Sequence, residues 1–337
     1  MTFNKVYIIF FSFLIIFFSI KLFVKLLQYL KIYDLNQLAN GKYIVSSTGV
    51  MLSPFVIVIC LLIYFNYPYE ISKAYIVIPF TFVFLNILCF IDDIKSTSVV
   101  LRLAAYFSFC FLSLSTINFE ILYITSYEKV NIFLYLVLWV FFINCANFMD
   151  GGDNYYVNLF IPHFLFFCFF FYFITSNDLV FYFNFIILSF LICFKFLNKF
   201  PAKVYLGDSG SISIGYFCFF NILKIIENGY FFIGILLILT VILDPGLTIM
   251  IRVLKNKNIF SRHQGFFIHM AKQIGYSVNQ VSNKILQITL LNIVFCIILL
   301  YSNHLNFKIF VLGLFFNLLH LLSLVKYDLK FFVKNQK

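Results

Sequence analysis

Long apolar segments separated by short polar connections dominate the chain. Runs of about 18 apolar residues or more recur, and a helix needs about 20 residues to cross the hydrocarbon core of a membrane. Because no long soluble segment remains, we expect one all-α, polytopic membrane domain over residues 1–337. The pattern predicts eleven transmembrane helices, at 6–29, 50–66, 74–91, 99–117, 130–148, 155–175, 179–197, 209–226, 230–250, 284–302 and 307–325.

Composition and charge support this architecture and give it an orientation. Hydrophobic residues make up 63% of the chain and charged residues 11%, against roughly a quarter charged in soluble domains. If the N-terminus is outside, all Lys and Arg except Lys5, Lys73, Lys129, Lys224 and Lys308 lie on the inner side. That is the positive-inside pattern, so we expect a cytoplasmic C-terminus. The net charge of +11 then marks a surface facing anionic lipid, and no nucleic acid partner is expected.

The acidic residues predicted to lie inside are all Asp, and most stand at the ends of apolar spans. An acid at membrane depth is costly unless it is paired or binds a metal. The first cluster is Asp92-Asp93, with Lys95 and Arg102 close behind. Two adjacent carboxylates need Mg²⁺, a shared proton or cationic neighbours. Lys95 and Arg102 could hold a phosphate or simply neutralise the pair.

The second cluster, residues 147–154, ends the fifth predicted span with the sequence Asn-Phe-Met-Asp-Gly-Gly-Asp-Asn. Asn147 and Asp150 are three residues apart and share one helical face. The two glycines allow a ligand to approach the main chain closely. A plain tight turn would need the glycines but not both Asp150 and Asp153, so the segment favours a socket for a polar ligand.

The third cluster opens the eighth predicted span with Gly207, Asp208, Ser209, Gly210 and Ser211. Exposed amides at a helix N-terminus suit a phosphate, although Asp208 could also be a simple N-cap. Hard carboxylate oxygens together with a diphosphate favour Mg²⁺ as the ion.

A basic connection, 251–283, contains Arg262, His263 and His269. Such a loop is usually a positive-inside anchor. The spacing of its histidines does not match a zinc site, so contact with an anion or proton handling fits these residues better.

In their order along the chain, the three acidic motifs and the late His-containing loop resemble the polyprenyl-phosphate N-acetylhexosamine-1-phosphate transferases, the MraY/WecA-like glycosyltransferases of bacterial envelope synthesis. The stretch from Asp92 to Arg102 looks more like the branch that initiates O-antigen or other surface polysaccharides than like the peptidoglycan enzyme. The resemblance implies Mg²⁺-dependent, or alternatively Mn²⁺-dependent, attack of undecaprenyl phosphate on a UDP-sugar with release of UMP. It also implies a bacterial inner-membrane protein with a cytoplasmic active site, and it leaves a homodimer open.

The resemblance also implies roles for individual residues. Asp92 and Asp93 fall on the catalytic aspartates, and Asp208, with Asp93, falls on the metal site. The other positions are implied in nucleotide-sugar binding (Asn147, Asp150, Asp153, Gly207, Gly210 and Ser211) and in phosphate binding (Lys95, Arg102, Arg262, His263 and His269). The chain departs from the pattern at Gly265, Phe266 and Phe267, where the family has closely spaced histidines, and at Asn154, where it usually has Gly.

Two alternatives to an enzyme remain. An inactive relative could act as a scaffold, which the weakened histidine motif favours. A secondary transporter would use intramembrane acids to bind coupling ions, but the acids here are predicted at span ends and no inverted repeat is visible.

Overall fold

The computed structural model describes residues 3–39, 42–66, 73–118, 125–257, 265–302 and 306–325. Most of the regular structure in these ranges is helical. The helices are α1 (Phe3–Tyr29), α2 (Leu52–Asn66), α3 (Ala74–Ile94), α4 (Val99–Leu114), α5 (Glu128–Phe148), α6 (Tyr155–Phe169), α7 (Asp178–Asn198), α8 (Gly207–Glu227), α9 (Phe231–Leu254), α10 (Phe267–Gln273), α11 (Val278–Tyr301) and α12 (Asn306–Leu324).

The described helices confirm an all-α polytopic membrane protein. Nine of the helices in the described ranges are long and apolar enough to cross a membrane, and 48–61 and 99–114 form shorter apolar helical segments. Every one of the eleven predicted spans falls on a helix. The count of eleven crossings and the orientation stay predictions.

Three smaller elements accompany the helices. A π-helical turn, Phe170–Ile174, prolongs α6, and a 3₁₀ turn, Thr48–Met51, leads into α2. An antiparallel hairpin pairs β1 (Tyr33–Ala39) with β2 (Lys42–Val45). The chain after β2 then runs beside the segment that precedes α8: the amide of Tyr205 donates to the Val45 carbonyl (2.7 Å).

Helix α8 forms the centre of the bundle and packs against α3, α5 and α9. From Ser209 to Leu223 its residues are apolar or small, except for Asn221, which is typical of a helix surrounded by protein. Accordingly, 17 of its 21 residues are buried. At Gly215 the packing is so close that an added Cβ would lie 2.8 Å from the Cβ of Ala146 on α5. Small residues at such positions let helix backbones approach each other in a membrane.

A buried amide, Asn86 on α3, connects three parts of the bundle. Its side chain is fully buried, and its Nδ2 lies within hydrogen-bond distance of the Ser209 carbonyl (2.7 Å), Ser213 Oγ (2.8 Å) and the Gly49 carbonyl (3.2 Å). Its Oδ1 accepts a hydrogen bond from Ser53 Oγ of α2 (2.7 Å). Asn86 therefore fixes α3 against the first turns of both α2 and α8.

Candidate active site

The two neighbouring carboxylates at the end of α3 have different partners, and Asp93 binds the start of α8. It accepts hydrogen bonds from the backbone amides of Asp208 (3.0 Å) and Ser209 (3.3 Å). These amides lie in the first turn of α8, where no intrahelical acceptor is available and a negative charge is favoured. Asp93 therefore joins the first and third sequence motifs directly.

Asp92 is held on the other side of the cluster. One of its oxygens accepts from the amide and the hydroxyl of Thr97, both at 2.6 Å. The other lies 2.8 Å from Arg102 Nη1, and the same nitrogen is 3.6 Å from Asp208 Oδ2. Arg102 therefore lies between acids of two motifs and reduces their repulsion. Lys95 ends α3 with an exposed side chain.

The glycine before Asp208 is required by this geometry. Gly207 has φ 77, in the left-handed region that favours glycine. An added Cβ would lie 2.6 Å from Asp93 Oδ2 and 2.7 Å from the Cα of Ser47. Gly210, one turn on, meets Gly49 backbone to backbone, and a Cβ on Gly49 would overlap it. The glycines of the third motif thus allow the N-terminal segment and Asp93 to reach α8.

The end of α5 joins the same cluster through Asn147. Its Oδ1 accepts from Ser211 Oγ on α8 at 2.6 Å, and its side chain also hydrogen-bonds to Asp208. The second and third motifs are therefore in contact.

The remainder of the second motif is fixed by the segment between α7 and α8. Asp153 accepts from the amide of Ala202 at 3.0 Å, and the amide of Asn154 donates to Asn198 Oδ1 at 2.7 Å. Asn154 has φ 62, a left-handed conformation that Gly and, less readily, Asn adopt. This conformation explains how Asn can stand where the resembled family usually has Gly.

Carboxyl groups are concentrated in and around the connection after α5. Burial, together with the charges of Asp208, Asp93 and Asp153, raises the pKa of the Asp150 carboxyl well above its usual value. Burial also raises the pKa of Asp153, against the effects of a backbone hydrogen bond and of the nearby Lys272 ammonium. The described site therefore has more carboxylates than cations, and a phosphorylated ligand would need additional positive charge to bind there.

A residue to which sequence reasoning gave no role, Asp244 of α9, holds the short helix α10. It is buried, and its two oxygens accept from the amides of Phe267 (2.8 Å) and Ile268 (3.1 Å) at the start of α10. Thr248 Oγ1 donates to it as well (3.3 Å). The signal was present in the sequence, because an acid inside a predicted apolar span needs a partner.

Helix α10 brings His269 to the second motif. An added Cβ on Gly151 would lie 2.5 Å from His269 Cε1, so this glycine makes room for the imidazole. Phe266, where the resembled family has a histidine, stacks on Phe148 with ring centroids 5.3 Å apart. The histidine loop thus reaches the cluster through His269 and an aromatic contact. Arg262 and His263 lie outside the described residues.

The side chains of the site could bind Mg²⁺ only if the substrate supplied some of the metal ligands. In the described residues no group of three His, Cys, Asp or Glu side chains is arranged to hold a metal ion. Mg²⁺, however, is commonly bound through one or two carboxylates, with water and substrate phosphates as the other ligands. Asp208 could supply such a carboxylate, whereas both oxygens of Asp93 already accept backbone amides.

Comparison with known proteins gives one family. No curated protein matches the chain. The sequence model of glycosyl transferase family 4 matches slightly less than half of it, and the matched stretch excludes Asp244 and His269. The matched stretch contains the paired aspartates of α3, the segment after α5 and the start of α8. Residues 75–226 are thus similar to glycosyl transferase family 4.

Proposed function

We propose that this protein transfers N-acetylhexosamine 1-phosphate from a UDP-sugar to undecaprenyl phosphate, with Mg²⁺ as cofactor. The observation that carries the proposal is that Asp92 and Asp208 meet at Arg102 while Asp93 binds the first turn of α8. The family match to 75–226 supports glycosyl transfer by a membrane-embedded protein. The identities of the sugar donor, the lipid acceptor and the metal ion are our proposals beyond that family-level activity.

The reaction is a phosphoryl transfer. An oxygen of the lipid phosphate attacks the phosphorus that carries the sugar, and the bond from that phosphorus to the oxygen of the UMP phosphate breaks. The products are a lipid diphosphate sugar and UMP. Enzymes promote such transfers chiefly by positioning the reactants and stabilising charge. Mg²⁺ would supply neutralisation of the diphosphate and of the departing UMP.

Residues at different positions in the cluster have different roles in this proposal. Arg102 offers a guanidinium to phosphate oxygens while it keeps Asp92 and Asp208 together. Asp92 orients the lipid phosphate, and Asp93 holds the exposed amides of α8 in place. Asp208 would hold the metal ion.

The nucleotide-sugar lies along the other side of the cluster in this proposal. Asn147, Asp150 and Asp153 line it from the end of α5, and Ser211 from α8. His269 approaches from α10, and Lys95, at the end of α3, would add positive charge on the side of Asp92. The enzyme would start an envelope polysaccharide such as O-antigen at the cytoplasmic face of a bacterial inner membrane.

The test is release of UMP by protein purified in detergent, with undecaprenyl phosphate, Mg²⁺ and a panel of UDP-N-acetylhexosamines. We expect UMP only when lipid and Mg²⁺ are both present, and a loss of at least about 100-fold in Asp208→Asn. Glu128→Gln serves as the matched control, because Glu128 is exposed in the first turn of α5, at the far end of that helix from Asn147.

The possible outcomes distinguish the transferase from the scaffold and the transporter. Near-normal turnover in Asp208→Asn would refute the metal site. If every donor fails while a known enzyme of this class is active alongside, the scaffold alternative replaces the enzyme. Ion-coupled uptake into vesicles without UMP release would favour the transporter.

A further inference from the structure

A cavity lies at the end of the bundle opposite the candidate active site. It has a volume of about 380 Å³ and opens between the first turns of α3 and α7 and the last turns of α8. Lys224 in its lining is on the same helix as Asp208 and lies about 24 Å further along the axis. The cavity is therefore separate from the acidic cluster, and no step of the proposed reaction uses it.

The lining is apolar at depth and polar at the mouth. Four buried aromatic rings form the deep part: Phe171, Phe183, Phe217 and Phe220. The mouth is formed by polar side chains from the helix ends: Thr175, Asn177, Lys224, Glu227 and Asn228. Ligand sites are commonly apolar with a few convergent polar groups, and they begin at about 300 Å³. This arrangement suits an amphiphile whose polar end stays at the membrane boundary.

The depth of the cavity corresponds to one leaflet. Its lining residues on α8 extend from Phe217 to Asn228, which is about 16 Å along a helix axis. The hydrocarbon core of a bilayer is about 30 Å thick, so half of it is about 15 Å. A single acyl chain entering from the mouth would therefore end near the bottom of the cavity.

The charges at the mouth select the headgroup. Lys224 Nζ and Glu227 Oε2 are 2.6 Å apart, and both side chains are partly exposed, Glu227 through atoms other than Oε2. Each is also anchored: Lys224 donates to the Thr116 carbonyl (3.2 Å), and Glu227 accepts from the amide of Asn118 (2.9 Å). The pair has no net charge. A purely anionic headgroup would be attracted by Lys224 and repelled by Glu227, whereas a phosphate joined to a primary ammonium would complement both.

We propose that this cavity binds a phospholipid of the leaflet opposite the candidate active site. One acyl chain lies among the phenylalanine rings, and a phosphoethanolamine headgroup contacts Lys224 through its phosphate and Glu227 through its ammonium.

Native mass spectrometry of the full-length protein, titrated with phosphatidylethanolamine, phosphatidylglycerol or undecaprenyl phosphate, tests the proposal. We expect one phosphatidylethanolamine to bind about tenfold more tightly than phosphatidylglycerol, a difference of about 1.4 kcal/mol. Val180→Phe, which fills the cavity from α7, should abolish this binding and leave UMP release unchanged. Glu227→Gln should reverse the preference towards phosphatidylglycerol. Lys199→Gln, at the other end of α7 with an exposed side chain, is the matched control and should bind as the wild type does.

Equal binding of phosphatidylethanolamine by wild type and Val180→Phe would overturn the site. Should Val180→Phe fail to fold, an unchanged lipid preference in Glu227→Gln would overturn the headgroup assignment. Undecaprenyl phosphate as the only lipid bound would overturn the choice of ligand. Because lipid retention is measured without turnover, failure of the proposed transferase reaction would leave these results interpretable.

Discussion

Replacing Asn86 with Ala should weaken the bundle and the candidate active site together. The change removes four hydrogen-bonding contacts, three from Nδ2 and one to Oδ1. Interhelical hydrogen bonds in membranes contribute about 0.6 kcal/mol on average and about 1.7 at most. The free energy of unfolding should therefore fall by about 2 to 4 kcal/mol. Asn86 lies two helical turns before Asp93 on α3, and it donates to the carbonyl of Ser209, whose amide Asp93 binds. We therefore also expect turnover to fall by more than about tenfold.

The assay compares thermal unfolding in detergent with UMP release per folded molecule. Asn184→Ala is the matched control: its Nδ2 donates to Asn221 Oδ1 at 3.0 Å, in the half of α8 remote from Asp208. That variant should lose stability and keep turnover. Full turnover in Asn86→Ala would refute the link between this amide and the site. Unchanged stability would refute the proposed contribution of these hydrogen bonds to the free energy of unfolding.

Three further predictions concern charge. Arg102→Gln leaves Asp92 and Asp208 without their shared cation, so UMP release should fall about 100-fold; a change below twofold contradicts this role. The pKa of Asp150 is raised in the folded state, so the folded protein keeps a proton that the unfolded chain loses above about pH 4. The free energy of unfolding should therefore fall as the pH rises from about 4 to the pKa of the folded state. Asp150→Asn should remove this decline and unfold at a higher temperature at pH 7.5; parallel melting curves argue against it. Asp244→Asn replaces one of the two acceptor oxygens at the start of α10 with an NH2 donor and should speed proteolysis between α9 and α10, whereas Thr248→Val should not; equal cleavage rates would contradict the capping role.

The apolar spans were predictable because the chain has few charges and the spans are long. Their ends were less so. Helix α11 begins at Val278, although its apolar run suggested 284. Ser277 and Gln280 form a capping box there, a signal that the sequence contains but that hydropathy does not register. The hairpin of β1 and β2 was missed for a related reason, since short polar connections carry little hydrophobic pattern.

The acidic motifs were predictable because Asp is conspicuous in an apolar chain. What the sequence could not give was their pairing: that Asp93 binds the start of α8 and Asp92 binds Arg102. Neutral polar residues within spans, such as Asn86 and Ser53, have no local signature either, because one uncharged side chain hardly alters the hydropathy of a span. Their role depends on which helices pack together, and that is a property of the folded bundle.

The central position of α8 has a consequence for biogenesis. The chain emerges from the ribosome N-terminus first, so α1 to α7 enter the membrane before their central partner has been translated. Until then, Asn86 lacks two of its acceptors, the Ser209 carbonyl and Ser213 Oγ. Unsatisfied polar groups are costly in hydrocarbon. A nascent or truncated chain that ends before α8 would leave the Asn86 side chain without these partners, at a free-energy cost in lipid.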